Sequence, residues 1–433
     1  MPKVKDLSLA KKGEDELSWA RANMPALAKI RSRFEKEKPF AGLTISVALH
    51  LEKKTGVLLE ALEAGGAKVF AASCNPLTTN DATAAALAAR KGGIEPFAWS
   101  GQTSEEYYWC LNAVLDAKPD IVIDDGCDLI NLLHTTRKKE LQKIIGACEE
   151  TTTGINRLSA MHKAGKLLFP VIAVNNAYSK FLLDNQFGTA QSTVDAICRA
   201  TNSILAGKTV VVAGFGWCGR GVASRMKGMG ANVVVVEIDG TLGPHESGLQ
   251  RALSAHYSGF RVMGMPEAAK IGDIFVTATG NKNVIGKTHF PLLKGGAILS
   301  NTGHFNVEID EPALRASSRR VYEMKENVMA YEQKDGRTIY LLSEGRLVNL
   351  AQPSGQGHPM EIMDGSFALQ ALCCELLAKS AKPKGGHLKP GVHGVPEEID
   401  DSVARLLLAT KGITLEAPTA EQKKYAESYD EGT

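Results

Sequence analysis

The feature that most constrains this chain is the run Gly214, Gly216, Gly219, a G-x-G-x-x-G spacing directly after TVVVA and directly before the helix-forming stretch GVASRMKGMG. Glycines so spaced allow a tight strand-to-helix turn, close approach of backbone to a pyrophosphate, and packing of helix on strand. The first turn of the helix then offers free N–H groups to phosphate oxygens. The next apolar run, NVVVVE, ends in Glu237, 18 residues after Gly219. A carboxylate at that place accepts both hydroxyls of an adenosine ribose and repels a 2′-phosphate. A bare glycine-rich turn would account for the glycines but not for the acid. Strand, spacing and acid together predict a Rossmann unit that binds NAD.

The chain has 433 residues, more than one hydrophobic core usually organises, so at least two domains are expected. From Leu43 short apolar runs alternate with helical stretches: TISVAL, a helix from about 52 to 64, AKVFAAS, an Ala-rich helix near 82 to 91, then DIVID and LLFPVIAV. That alternation predicts βαβ units and a parallel sheet in the first half. A polar helix around 192 to 205 leads to a second sheet with strands at 209 to 213, 232 to 237, 273 to 279 and 296 to 301. The predicted fold class is α/β, with two doubly wound Rossmann-like domains and a C-terminal helical tail.

A formal net charge of +2 gives no electrostatic reason to expect nucleic acid or an anionic membrane surface, so a small-molecule substrate is the expected partner. The eight cysteines show no paired CxxC spacing and read as reduced thiols. The first residues lack a signal-peptide core, and no stretch approaches the ~20 apolar residues needed to span a bilayer. The cytoplasm is the expected compartment.

Several chemistry-bearing residues fall where strands of the first half end, which is where open α/β sheets bind ligands. His50 follows TISVAL, Asp125 follows IVID, EETTTG at 149 to 154 follows a helix expected to end near Ala147, and Lys180, Asp184 and Asn185 follow the next strand. His304 and His358 sit in SNTGHF and GQGHP. Taken singly, each has a plain structural reading: Asp125 as a helix cap, Thr151 to Thr153 as a hydroxyl-rich turn. Taken together they suggest one constellation.

The stretches RANMPALAKIR, GQTSEEYYWC, DDGCDL, EETTTGINRL, DIFVTATGN, NTGHFNVEID, EGRLVNL and VARLLL, in this order and around the glycine fingerprint, resemble the S-adenosylhomocysteine hydrolase family over nearly the whole chain. The resemblance implies NAD that stays bound through turnover. The substrate's ribose 3′-OH is oxidised, the acidified C4′ proton is removed, homocysteine leaves C5′, water adds, and the ketone is reduced again; the net reaction is reversible hydrolysis. It implies Lys180, Asp184 and Glu150 on the ribose hydroxyls, with Lys180 acting as base through a burial-lowered pKa, and His50 and Asp125 near C4′ and C5′. His304 and His358 would line the pocket near ribose and purine. Thr151, Thr152, Thr153, Asn185, Asn301 and Asn349 would contact the cofactor beside the fingerprint and Glu237, and no metal is implied. The implied division is a substrate domain over 1–188, completed by about 354–390, an NAD domain over 189–353, and a tail over 391–433 that contacts a neighbouring subunit of a homotetramer.

The sequence departs from the family pattern at four places. Thr189 stands where many members have cysteine, and GTLGPHESGLQ after Glu237 is longer than usual. The chain ends KKYAESYDEGT without the family's lysine and tyrosine tail, leaving Tyr425 or Tyr429 as substitutes. In HLEKKT at 50 to 55, Glu52 and Lys54 replace a common threonine and glutamate that face the purine's six-position. An acceptor beside a donor there serves adenine in one register and hypoxanthine in the other, unless Lys54 points to solvent, so S-inosyl-L-homocysteine is an alternative substrate. Two rivals of other classes are a silent NAD-binding regulatory relative, disfavoured by the retained His50, Asp125, Lys180, Asp184 and His304, and a dehydrogenase with exchangeable NAD.

Overall fold

The protein is described by a computed structural model covering residues 3–90, 92–240, 246–382 and 386–429. Part of the long segment after Glu237, residues 241–245, lies outside the described residues. Short aliphatic runs form strands buried on both faces, as parallel sheets covered by helices require. In the first domain these are Thr44–Ala48 (β1), Lys68–Ala72 (β2), Ile94–Phe97 (β3), Ile121–Asp124 (β4), Gly146–Glu149 (β5) and Pro170–Ala173 (β6). The second contains Thr209–Ala213 (β7), Asn232–Val236 (β8), Arg261–Met263 (β9), Ile274–Thr277 (β10), Ile298–Asn301 (β11), Ser318–Lys325 (β12), Val328–Gln333 (β13) and Thr338–Leu342 (β14). The chain then returns to the first domain through the helix Met360–Ser380 and adds Gly391–Gly394 (β15) beside β6.

The strand orders are β15-β6-β5-β4-β1-β2-β3 and β12-β13-β14-β11-β10-β7-β8-β9. Among the described residues all pairings in the first sheet are parallel, and in the second only β12–β13 and β13–β14 are antiparallel. In each sheet the order reverses beside the first strand, between β1 and β4 and between β7 and β10. Such reversal points leave a crevice at the carboxyl ends of the strands. His50 and Asp125 lie at one, and Gly214 and Thr279 at the other.

Two expectations change. EETTTG follows a strand rather than a helix: β5 pairs with β4 in the register Asp124↔Glu149. The short run IIGACE has too few residues for its periodicity to separate strand from buried helix. The expected tail from 391 is also mostly domain. β15 extends the first sheet, and the helix Glu397–Thr410 buries Val403 and Leu407 in the first domain's core, where Phe367, Cys373 and Cys374 of Met360–Ser380 also lie. Asp400 accepts N–H bonds from Tyr178 and Ser179 at 2.7 and 2.9 Å. Beyond Thr410 the helix Ala420–Glu427 buries none of its residues, and Tyr425 and Tyr429 are exposed.

Candidate active site

The loops after β1 and β4 bring His50 Nε2 to 3.3 Å from Asp125 Oδ2, while His50 Nδ1 lies 2.8 Å from Thr78 Oγ1. Burial pulls the His50 pKa down to about 4 against the attraction of Asp125, so the imidazole is neutral near pH 7. Cys74 Sγ lies 3.6 Å from the same carboxylate oxygen. From the other domain His304 Nδ1 comes to 3.5 Å from Asp125 Oδ1, and its ring fills the space that a Cβ on Gly126 would occupy. The absence of a side chain at Gly126 is what lets the two domains meet here. His50, Asp125 and His304 present ligand atoms within 4.8 Å of one another, a set able to hold a divalent ion that the expected chemistry does not need.

Next to this trio the backbone over Phe181–Gly188 is π-helical, a rare conformation that tends to mark functional segments. Its wider turn lets Lys180 meet both Asp184 Oδ1, at 3.1 Å, and Asn185 Oδ1, at 2.9 Å. Lys180 Nζ also reaches Asn175 Oδ1 at 3.3 Å and Glu150 Oε1 at 3.6 Å. Burial opposes charge on Lys180, but Asp184 and Glu150 outweigh it and hold its pKa above the ordinary value. This corrects the expectation of a lysine whose pKa burial has lowered. Asp184 moves the other way: burial would raise it, yet Lys180 and His358 hold it well below the usual carboxylate range. His358 Nδ1 lies 3.2 Å away and Ser366 Oγ donates at 2.8 Å. Glu150, beside Gln370, is pushed up to about 8, chiefly by burial.

At the entrance to the helix Lys53–Ala64, Glu52 and Lys54 are both buried, with Lys54 Nζ 2.9 Å from Glu52 Oε2 and donating at 2.9 Å to the Gln356 carbonyl. The solvent-facing reading of Lys54 is therefore wrong. Gly357, at φ +68°, makes room for it; a Cβ there would stand 3.0 Å from Nζ.

The glycine loop carries the three separate duties of its spacing. Gly214 has φ +96° and no room for a Cβ against Ala278, Gly219 packs on the Gly214 carbonyl, and Gly216 faces open space. Glu237 accepts the Phe215 N–H at 2.6 Å and is bridged by Arg251 at 2.7 and 3.2 Å, a partner the sequence did not announce. Asn349 Oδ1 is buried without a protein partner while its Nδ2 donates to Ser192, a free acceptor suited to a carboxamide N–H. Asn301, expected at the cofactor, spends its amide on the Gly303, Phe305 and Gly345 carbonyls and on the Gly303 N–H and Thr277 hydroxyl, and so shapes the loop that carries His304. Thr151 donates its N–H to Glu149, Thr152 Oγ1 accepts from Asn175, and Thr153 lies beside Gly280 of the second domain. Asn185 Nδ2 donates to Asn175 at 3.1 Å. Thr189 Oγ1 touches His358 Nε2 at 3.2 Å, with Cys218 Sγ at 3.7 Å.

Asn175, Ser366, Gln370, Thr78 and Cys74 join the site without having been singled out in the sequence. Only Asn175 had a local signal, its place at the end of β6.

The S-adenosyl-L-homocysteine hydrolase model matches residues 2–145, and the NAD-binding domain of that hydrolase matches residues 185–355. The chain belongs to the S-adenosyl-L-homocysteine hydrolase family. A protein of Methanopyrus kandleri named S-inosyl-L-homocysteine hydrolase is 52% identical over 431 residues, 99% of this chain and 98% of its own. Another of that name, from Methanocaldococcus jannaschii, is 53% identical over the full length of both. An adenosylhomocysteinase of Thermococcus kodakarensis is 52% identical over 99% of this chain and 98% of its own. This member of the family is an enzyme with NAD as its cofactor, and among its described residues no helix is long and apolar enough to cross a membrane.

Proposed function

We propose that this enzyme reversibly hydrolyses the thioether of S-adenosyl-L-homocysteine and of S-inosyl-L-homocysteine to homocysteine and the nucleoside, with hypoxanthine the better-matched base. Relatives of either name are equally similar, so the purine must be argued from side chains. The observation that carries the choice is the buried Glu52–Lys54 pair: two of the ammonium's three donors are engaged, and one carboxylate oxygen remains free. A charged donor bonds a carbonyl O6 more strongly than a ring nitrogen.

When bound, NAD would supply a reversible hydride acceptor for C3′. Asp184, Glu150 and Lys180 hold the ribose hydroxyls, and the 3′-OH proton passes to this cluster. Lys180 is already an ammonium, so a carboxylate takes that proton, and Glu150 has the higher affinity for it once pH nears about 8 and leaves it ionised. The neutral His50, held between Thr78 and Asp125, takes part in moving the C4′ proton, the proton gained by the leaving sulfur, and that lost by the incoming water. His304 closes this side, and His358 with Thr189 closes the other. The Gly214–Gly219 loop would hold the pyrophosphate, Glu237 the ribose, and Asn349, Asn185 and Thr151 to Thr153 the nicotinamide side.

The domain division and a homotetramer belong to the same reading and rest on resemblance, and a cytoplasmic location rests on cysteines that read as reduced thiols. The deciding experiment is to purify the protein, assay it for bound NAD, and follow thiol release from each thioether. Net accumulation of NADH without thiol release would favour a dehydrogenase, and bound NAD with no turnover a silent relative.

A further inference from the structure

The turn that carries Asp125 is gripped by two side chains, Glu149 and Arg157, that the proposed chemistry does not use. Gly126 has φ +104° and Cys127 φ +66°, the latter a left-handed conformation that a residue with a side chain adopts only when its surroundings impose it. Both polar backbone atoms of Gly126 are held: its N–H donates to Glu149 Oε1 at 2.8 Å, and its carbonyl accepts from Arg157 Nη1. The same Nη1 donates to Asp128 Oδ1 at 2.6 Å, just past Cys127. Arg157 stands on the helix Thr152–Lys163, whose first turn holds the threonines assigned to the nicotinamide side.

The other contact of Arg157 leaves its own domain. The guanidinium lies over the Phe305 ring, 5.6 Å from its centroid, and Phe305 packs edge-on against His304 at 4.7 Å. His304 in turn reaches Asp125 and fills the space above Gly126. One side chain thus touches both the turn that aims Asp125 and the ring that seats His304, with the domain boundary between them.

We infer that Arg157 is a positioning residue that couples docking of the His304–Phe305 loop to the aim of Asp125, so that His50, Asp125 and His304 assemble only when the domains are together. A planar guanidinium can hold a carbonyl and a carboxylate while presenting a face to an aromatic ring; an ammonium cannot do all three. Arg157→Lys keeps the charge and loses the geometry, and Arg157→Met loses both.

The inference rests on the proposed hydrolysis, and the test separates the two. NAD-loaded wild type, Arg157→Lys and Arg157→Met are compared in reduction of bound NAD on adding adenosine or inosine, in thiol release from both thioethers, and in small-angle scattering. Because Asp125 is assigned to the steps at C4′ and C5′, thiol release from Arg157→Met should fall about 100-fold, the scale of an ångström-sized misplacement, while reduction of NAD stays within about threefold of wild type. Arg157→Lys should fall in between, and both variants should scatter as more open particles. Equal loss of both half-reactions together with NAD content would reduce Arg157 to a brace for the fold and overturn the inference, as would unchanged thiol release. If wild type releases thiol from neither compound, the proposed function fails, and the scattering comparison still decides: equal compaction of wild type and Arg157→Met overturns the coupling.

Discussion

Lys180 Nζ and Asp184 Oδ1 form a buried ion pair 3.1 Å long, with Glu150 Oε1 on the far side of the ammonium at 3.6 Å. The pair fixes which group is free to exchange a proton. Asp184 is held ionised and Lys180 charged, whereas Glu150 is pushed from 4.5 up to about 8 by burial, partly offset by Lys180. Below that value Glu150 is protonated and cannot accept from the 3′-OH. Reduction of bound NAD by nucleoside should therefore rise with pH and level off above about 8, and Glu150→Gln should be slow and flat across the range. Stability follows with the opposite slope. Because the folded pKa is raised, Glu150's contribution is fully present below about 4.5 and is lost as pH climbs through about 8. Wild type and Glu150→Gln should melt closest together near pH 5, where both carry a neutral side chain, and wild type should fall away from the variant as pH climbs through about 8. Parallel curves would show that Glu150 does not titrate in this window.

Removing either member of the pair separates ribose handling from cofactor binding. Lys180→Ala and Asp184→Ala each leave an opposite buried charge unpaired, yet neither residue touches the glycine loop. Both variants should retain NAD through gel filtration while nucleoside-driven reduction falls by roughly 100-fold to 10,000-fold. A variant that reduces NAD at the wild-type rate would remove that residue from the first step.

The glycine fingerprint, the parallel strands and Glu237 were legible because their signals are local: a spacing, an alternation, an acid one strand later. Asp125, Lys180 and Asp184 were placed by motif and lie together, but their proton states were not legible. Those depend on groups far away in sequence, such as Ser366 on Asp184 and Gln370 on Glu150, 182 and 220 residues apart. β15 was missed for a related reason: GVHG has little strand character of its own and forms a strand because β6 offers it an unpaired edge.

Cofactor retention tests the second crevice. Gly214→Ala would place a Cβ 2.8 Å from the Ala278 carbonyl at φ +96°, so both the turn and the loop's approach to pyrophosphate should suffer. Glu237→Gln keeps the shape but weakens acceptance from the ribose hydroxyls and frees Arg251, which then faces the 2′ position as an uncompensated cation. NAD affinity, measured by reconstitution of stripped protein, should fall for both. For Glu237→Gln alone, the preference for NAD over NADP should shrink by about tenfold or more, since a lost charge-assisted bond is worth about 1.5–3 kcal/mol. Unchanged discrimination would mean that Glu237 serves Arg251 and the Phe215 N–H rather than the ribose.

The purine edge gives the sharpest test, because Lys54 is buried and has one donor left after Glu52 and the Gln356 carbonyl. Burial lowers its pKa, while Glu52 draws it back toward the charged form. Hypoxanthine offers O6 to that donor and N1–H to the free oxygen of Glu52; adenine offers N1 and the N6 amino group to the same two atoms in the crossed register. A site built to pair with one edge can reject the other by up to about 10⁴ when buried groups go unpaired. A pair that serves both edges should discriminate less, and toward the carbonyl. The expected result is a higher kcat/KM for S-inosyl-L-homocysteine than for S-adenosyl-L-homocysteine, by roughly tenfold, because the same two charged groups bond both edges and only the stronger acceptance by O6 separates them. Lys54→Met, close in volume but without a donor, should lose most of its rate on the inosyl compound and bring the two substrates together. A preference for the adenosyl compound that survives Lys54→Met unchanged would show that the lysine holds the Gln356 loop and does not read the base.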